Sequence, residues 1–102
     1  MWKPNRTFIN DKGYICIANS KHIMKRSRYK LIQLYGKNAI KGMVVHHIDL
    51  CRTNDTYNNL LICTEKEHYL LHTYKEKGWE IKYNKMVGDI YRKRMMVLKE
   101  VR

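Results

Sequence analysis

Apolar and polar residues change rhythm several times along the chain, and each change marks a candidate element. Arg6–Ile9 and Tyr14–Ile17 flank the turn-forming stretch Asn10-Asp11-Lys12-Gly13, which predicts an N-terminal hairpin whose glycine takes positive φ. Met24, Leu31, Ile32 and Tyr35 then recur near the helical period, with basic residues between them and Gly36 in a stop position. A basic amphipathic helix is expected over about 22–35. Two β-branched-rich apolar runs follow, Met43–Ile48 and Leu60–Cys63, joined by a segment of Asp, Asn and Thr that favours turns. They read as a second hairpin with a long polar loop.

The sequence Thr64-Glu65-Lys66-Glu67 is a capping box, in which a hydroxyl and a carboxylate satisfy two orphan N–H groups at a helix start. A helix therefore begins at residue 65 and runs toward Gly78, carrying His68 and His72, with Lys75 and Lys77 placed well against its dipole. A further helix is expected over 84–101, with Val87, Ile90, Tyr91, Val97, Leu98 and Val101 on one apolar stripe. Packing on the core is the default for such a stripe; a dimer interface or contact with a partner is the alternative.

Length bounds the architecture: 102 residues suffice for one modest core and are too few for two. No run approaches the roughly 20 apolar residues needed to cross a bilayer, and the N-terminus lacks an apolar signal-type region, so an intracellular, cytoplasmic protein is expected. Cys16, Cys51 and Cys63 are odd in number and lack CxxC spacing, which argues for free thiols over a disulfide framework. A structural zinc joining Cys51 or Cys63 to His68 and His72 is a weaker alternative, because the two cysteines do not come from a tight turn.

Charge changes the picture more than length does. The formal net charge is +12, which favours a polyanionic partner, nucleic acid before an anionic membrane. Residues 1–42 carry a net of +9 and residues 79–102 a net of +4, whereas residues 43–78 carry −1. Basic flanks can neutralise phosphates while a near-neutral centre keeps imidazoles and carboxylates free for a cation. Solubilising surface lysines are the plainer explanation, but +12 on 102 residues favours nucleic acid.

Four of the five histidines fall in that central segment. His68 and His72 are four apart and share a helix face, close enough to ligate one ion. Alone, that spacing is weak. The adjacent pair His46-His47 strengthens it, since neighbours on a strand point to opposite faces and two functional histidines in a row imply a strand end or bend. His46 would supply a third imidazole and leave an open coordination position, as a catalytic site requires. His47 would then be the general base, because an unperturbed imidazole can accept a proton from water near neutral pH. Asp49 is either a ligand or orienter of a histidine or a turn-former, and Asn59 either touches a cation or pins the loop.

Residues 44–72, VVHHIDLCRTNDTYNNLLICTEKEHYLLH, resemble the HNH endonuclease motif: a doubled histidine, the Asn59-Leu60 step, and a terminal HxxxH. With GYICIA and the basic stretch ending in LYGK, the resemblance to small phage-type HNH proteins covers roughly residues 13–75. It implies an α+β fold of the ββα-metal (His-Me finger) type, forming one domain over 1–102. In that domain 1–42 is a basic hairpin and helix, 43–78 the metal-binding core and 79–102 a basic helical extension. It implies His46 as a ligand of one divalent ion (magnesium, manganese, zinc or nickel) with His68 and His72 as further ligand candidates, His47 as base, Asn59 as a catalytic-centre residue that is structural or a ligand, and DNA as substrate for a monomer or homodimer. Lys25, Arg26, Arg28, Lys30, Arg52, Arg92 and Lys93 are the candidate phosphate contacts. Where many relatives carry Asn and Gly, this chain has Asp55 and Leu50. Competing readings are a nucleic-acid-binding module with an inactive or purely structural site, and an RNA-binding protein of ribosomal character, which explains the charge but not the histidines.

Overall fold

The computed structural model describes residues 2–101, and the side chains of residues 2–98. It is a mixed α+β structure with two small antiparallel sheets. Strands β1 (Arg6–Ile9), β2 (Ile15–Ala18) and β3 (Ile23–Lys25) form the first in sequential order, with Phe8 opposite Cys16 and Ile17 opposite Met24. The hairpin expectation holds, and a third strand joins it. Residues 23–25 lie outside the helix expected over 22–35, and α1 spans Arg26–Tyr35. The reason is a pairing: Ile23 and Met24 sit beside the open edge of β2, whose ladder bonds hold them extended. Gly36 stops α1 as expected, at φ 91° with its N–H on the Ile32 carbonyl.

A 3-10 turn over Lys37–Ile40 leads into β4 (Val44–His47), which pairs with β5 (Leu60–Cys63) in the register Val44–Cys63 through His47–Leu60. All four residues of β5 are buried. This explains its unbroken apolar run, because both faces of the hairpin are covered. Leu60 and Ile62 meet Leu31 of α1, Ile40 and Leu98 on one face. Leu61 and Cys63 meet Leu71, Tyr83 and Ile90 on the other.

Helix α2 (Glu65–Glu76) begins at the capping box: Thr64 Oγ1 accepts the Glu67 N–H at 3.1 Å and Glu67 Oε1 accepts the Thr64 N–H at 2.8 Å. Gly78 follows it at φ 74°. Helix α3 (Glu80–Val101) starts earlier than expected and contributes to both cores. Its packed stripe is Tyr83, Met86, Val87, Ile90, Met95 and Leu98. Tyr91 and Val97, assigned to the stripe by sequence, are about half exposed, and the Val101 side chain lies outside the described residues. The seam opens at Tyr83, ahead of the expected helix, and Met86 and Met95 join it in place of Tyr91 and Val97. Among the described residues no helix is long and apolar enough to cross a membrane.

Candidate functional site

The site forms where β4 ends. His46 and His47 are its last two residues, both buried, and strand alternation gives them different neighbours. The turn that follows is closed by the Leu50 N–H on the His47 carbonyl at 2.9 Å. Leu50 adopts φ 62°, the left-handed region that favours glycine.

His46 turns toward α2. Its ring centroid lies 5.2 Å from that of His68 and 5.1 Å from that of His72, and the two helix rings are 4.5 Å apart. One ring nitrogen from each can be chosen so that all three lie within 4.8 Å of one another. Burial grades outward through the set: His46 is buried, His68 half-buried and His72 exposed. Burial, together with the charges that His68, His72 and His47 can carry, drives the His46 pKa down to about 3. Burial and the neighbouring His72 and Lys25 likewise lower His68. Neutral imidazoles with free lone pairs are what a divalent cation needs. His46 Nε2 lies 2.8 Å from the Tyr83 hydroxyl, while its Nδ1 is buried without a hydrogen-bond partner. An unpartnered buried nitrogen beside two further imidazoles fits a metal ion. Among the described residues this is the one His/Cys/Asp/Glu cluster of ligating geometry, and Cys51 and Cys63 are no part of it.

His47 addresses a carboxylate instead. Its Nε2 is 2.7 Å from Asp55 Oδ1, and Asp55 Oδ2 accepts from Arg26 Nε at 3.0 Å. Asp55 is buried, and Lys30 donates to its backbone carbonyl. The arrangement fixes the plane of a buried imidazole through a carboxylate that is itself anchored by a guanidinium. The Tyr14 ring lies 5.9 Å from that of His47. Lys25 Nζ stands 3.9 Å above the Tyr14 ring, and the Arg52 guanidinium is 5.0 Å from its centroid. Tyr14, His46, His47, Leu50, Arg52, His68 and His72 line one small cleft.

The loop between the strands is built by Asp49 and Asn59. Asn59 Oδ1 accepts the Asp49 N–H at 3.0 Å, and its amide donates to Asp49 Oδ1 and to the Asn54 carbonyl, each at 2.9 Å. Asp49 also accepts from the Cys51 N–H and the Asn54 amide, both at 2.8 Å. The Asn54 amide, the Cys51 N–H and the Asn59 amide hold the Asp49 carboxyl below its usual range. Of the roles open for these two residues, the structure engages both side chains in holding the loop.

The basic residues divide. Arg52 lines the cleft and Lys25 stands over its Tyr14 wall, whereas Arg26 and Lys30 back the Asp55 anchor. Arg28 donates to the carbonyls of Met43 at 2.8 Å and Ile40 at 3.0 Å, tying α1 to the chain entering β4. Arg92 pairs with Asp89 at 2.6 Å, and Lys93 with Glu67 at 2.8 Å. Three residues central to the geometry carried no functional assignment from sequence: Asp55, Tyr83 and Tyr14. Asp55 was visible only as an acid in place of an expected Asn and Tyr14 only as a member of an apolar run, while Tyr83 lay outside every predicted element.

The chain is 38% identical over 72 residues to YosQ of Bacillus subtilis (strain 168), an SPbeta prophage-derived protein named as a candidate HNH homing endonuclease. The match takes in 67% of this chain and 42% of that protein, so the chain spans less than half the length of the relative. No family model matches the chain. No solved structure matches it.

Proposed function

We propose that this chain is an HNH nuclease domain with a ββα-metal core, which hydrolyses DNA phosphodiester bonds with one divalent ion. The observation that carries the reading is the convergence of three imidazoles, His46, His68 and His72, in the same cleft as a carboxylate-anchored fourth, His47. The likeness to the prophage protein supports it.

In this reading His46, His68 and His72 would hold the cation, which would supply charge stabilisation to the scissile phosphate and the departing 3′ oxygen. His47 accepts the proton of the attacking water through the ring nitrogen not engaged by Asp55. Asp55 and Arg26 keep that ring in place, so its orientation is set before substrate arrives. Lys25 and Arg52, stacked against Tyr14 at the cleft, meet backbone phosphates on either side of the cut. Asn59 and Asp49 serve the chemistry by holding the loop that bears Arg52 and Asp55. Products carry 5′-phosphate and 3′-hydroxyl ends. One such centre cuts one strand, so a double-strand break requires a second copy or a second event.

The test is cleavage of supercoiled plasmid across magnesium, manganese, zinc and nickel, with chelator and His47→Ala controls and mapping of the ends. His47→Ala should slow cleavage by roughly 10²–10⁴-fold while DNA binding persists, the range for loss of a general base. Retardation of DNA with no nicking in any metal would instead identify a binding module whose site is structural.

A further inference from the structure

Tyr83 lies on α3, 37 residues from His46 in sequence, yet its hydroxyl is the partner of the His46 ring. The residue is 2% exposed, and the same hydroxyl lies 2.5 Å from the Ile48 carbonyl oxygen. A phenol has one proton, and a carbonyl can only accept. The proton therefore goes to Ile48, and the 2.8 Å contact to His46 must be a bond that Nε2–H donates to the phenol oxygen. This fixes the imidazole. Nε2 carries the hydrogen, and Nδ1, buried and without a partner, keeps its lone pair. The opposite tautomer would place a buried N–H on Nδ1 with nothing to receive it and set two acceptors against each other at Nε2.

From this relay we infer that Tyr83 is a positioning residue of the metal centre, holding His46 as the Nε2–H tautomer so that Nδ1 is the nitrogen presented to a divalent cation. The inference rests on the proposed metal site. It gives α3 a part beyond covering the hairpin, because its first turn supplies the hydrogen-bond partner that orients a ligand on β4. The Ile48 end of the relay is itself anchored, since the Ile48 N–H donates to the Asn59 carbonyl at 2.9 Å. The orientation of His46 is thus tied to the loop as well as to the helix.

The experiment is Tyr83→Phe, which keeps the buried ring and removes only the hydroxyl. Zinc and nickel affinity would be measured by calorimetry on full-length protein, alongside ring-nitrogen NMR shifts of His46 in the metal-free state. The wild-type ring should report the Nε2–H tautomer, and Tyr83→Phe should show a mixture with metal binding weakened by about 10–100-fold, the usual effect of losing such a partner. A wild-type His46 protonated on Nδ1 overturns the proposal, and this measurement needs no variant to fold. Tight wild-type uptake with an unchanged affinity in Tyr83→Phe overturns it while leaving the metal site standing. Absence of uptake by the wild-type protein overturns the metal site itself, and the role of Tyr83 with it.

Discussion

Glu67 joins the helix that carries His68 and His72 to the helix that carries Tyr83, and replacing it with Gln isolates the contribution of its charge. Its carboxylate is 14% exposed and accepts from the Thr64 N–H at 2.8 Å, Lys93 Nζ at 2.8 Å and Arg94 Nη2 at 2.7 Å. Burial alone would push its pKa up; Lys93, the Thr64 N–H and Arg94 outweigh that effect and hold it at about 2, against 4.5 for a free glutamate. A group depressed on folding stabilises the protein above its unfolded pKa and loses that contribution as pH falls through the folded one. The difference corresponds to about 3 kcal/mol near neutral pH. Glu67→Gln can still accept the Thr64 cap bond, worth about 1 kcal/mol, so the expected loss is about 2 kcal/mol. By about pH 3 the charge contribution should have fallen by roughly half. Urea unfolding of both proteins at the two pH values measures it. An equal destabilisation at about pH 3 and at neutrality would refute the reasoning, because the charge would then not be its source.

Within the same clasp, Arg94→Ala should destabilise more than Lys93→Ala, since Arg94 is 16% exposed and Lys93 57%, and solvent screens the latter pair; matched urea midpoints for the two variants would contradict this. Leu71→Ala removes a fully buried side chain from beneath α2 and should cost about 2–5 kcal/mol, read by thermal or urea unfolding. Asp55→Ala leaves the buried His47 ring and the part-exposed Arg26 without their shared partner and should cost about 1–3 kcal/mol, whereas Asp55→Asn should fold, retain metal and cut DNA more slowly. Wild-type cutting rates in Asp55→Asn would remove the carboxylate from the mechanism. Zinc at 100 times its dissociation constant should raise stability by about 2.7 kcal/mol, and the gain should vanish with chelator or in His72→Ala.

Sequence alone determined the features governed by short-range rules. The capping box fixed the start of α2 and so put His68 and His72 on one face, because its hydrogen bonds span only three residues. The apolar run Leu60–Cys63 announced a strand buried on both sides, and Gly36 and Gly78 marked helix ends by their conformational freedom. Tertiary structure decided what depends on partners distant in the chain. Ile23–Lys25 became a strand because β2 offered an edge, and α3 took its register from the cores against which Tyr83, Ile90 and Leu98 pack. Asn59 had two chemically reasonable roles, and the closing of the loop on Asp49 engaged its amide there. Asp55 meets His47 from 8 residues away and Arg26 from 29. Tyr83 reaches His46 only because α3 folds back over the hairpin. Periodicity says which face of an element is apolar; which buried polar atom pairs with which is settled only when those faces meet and every donor must find an acceptor.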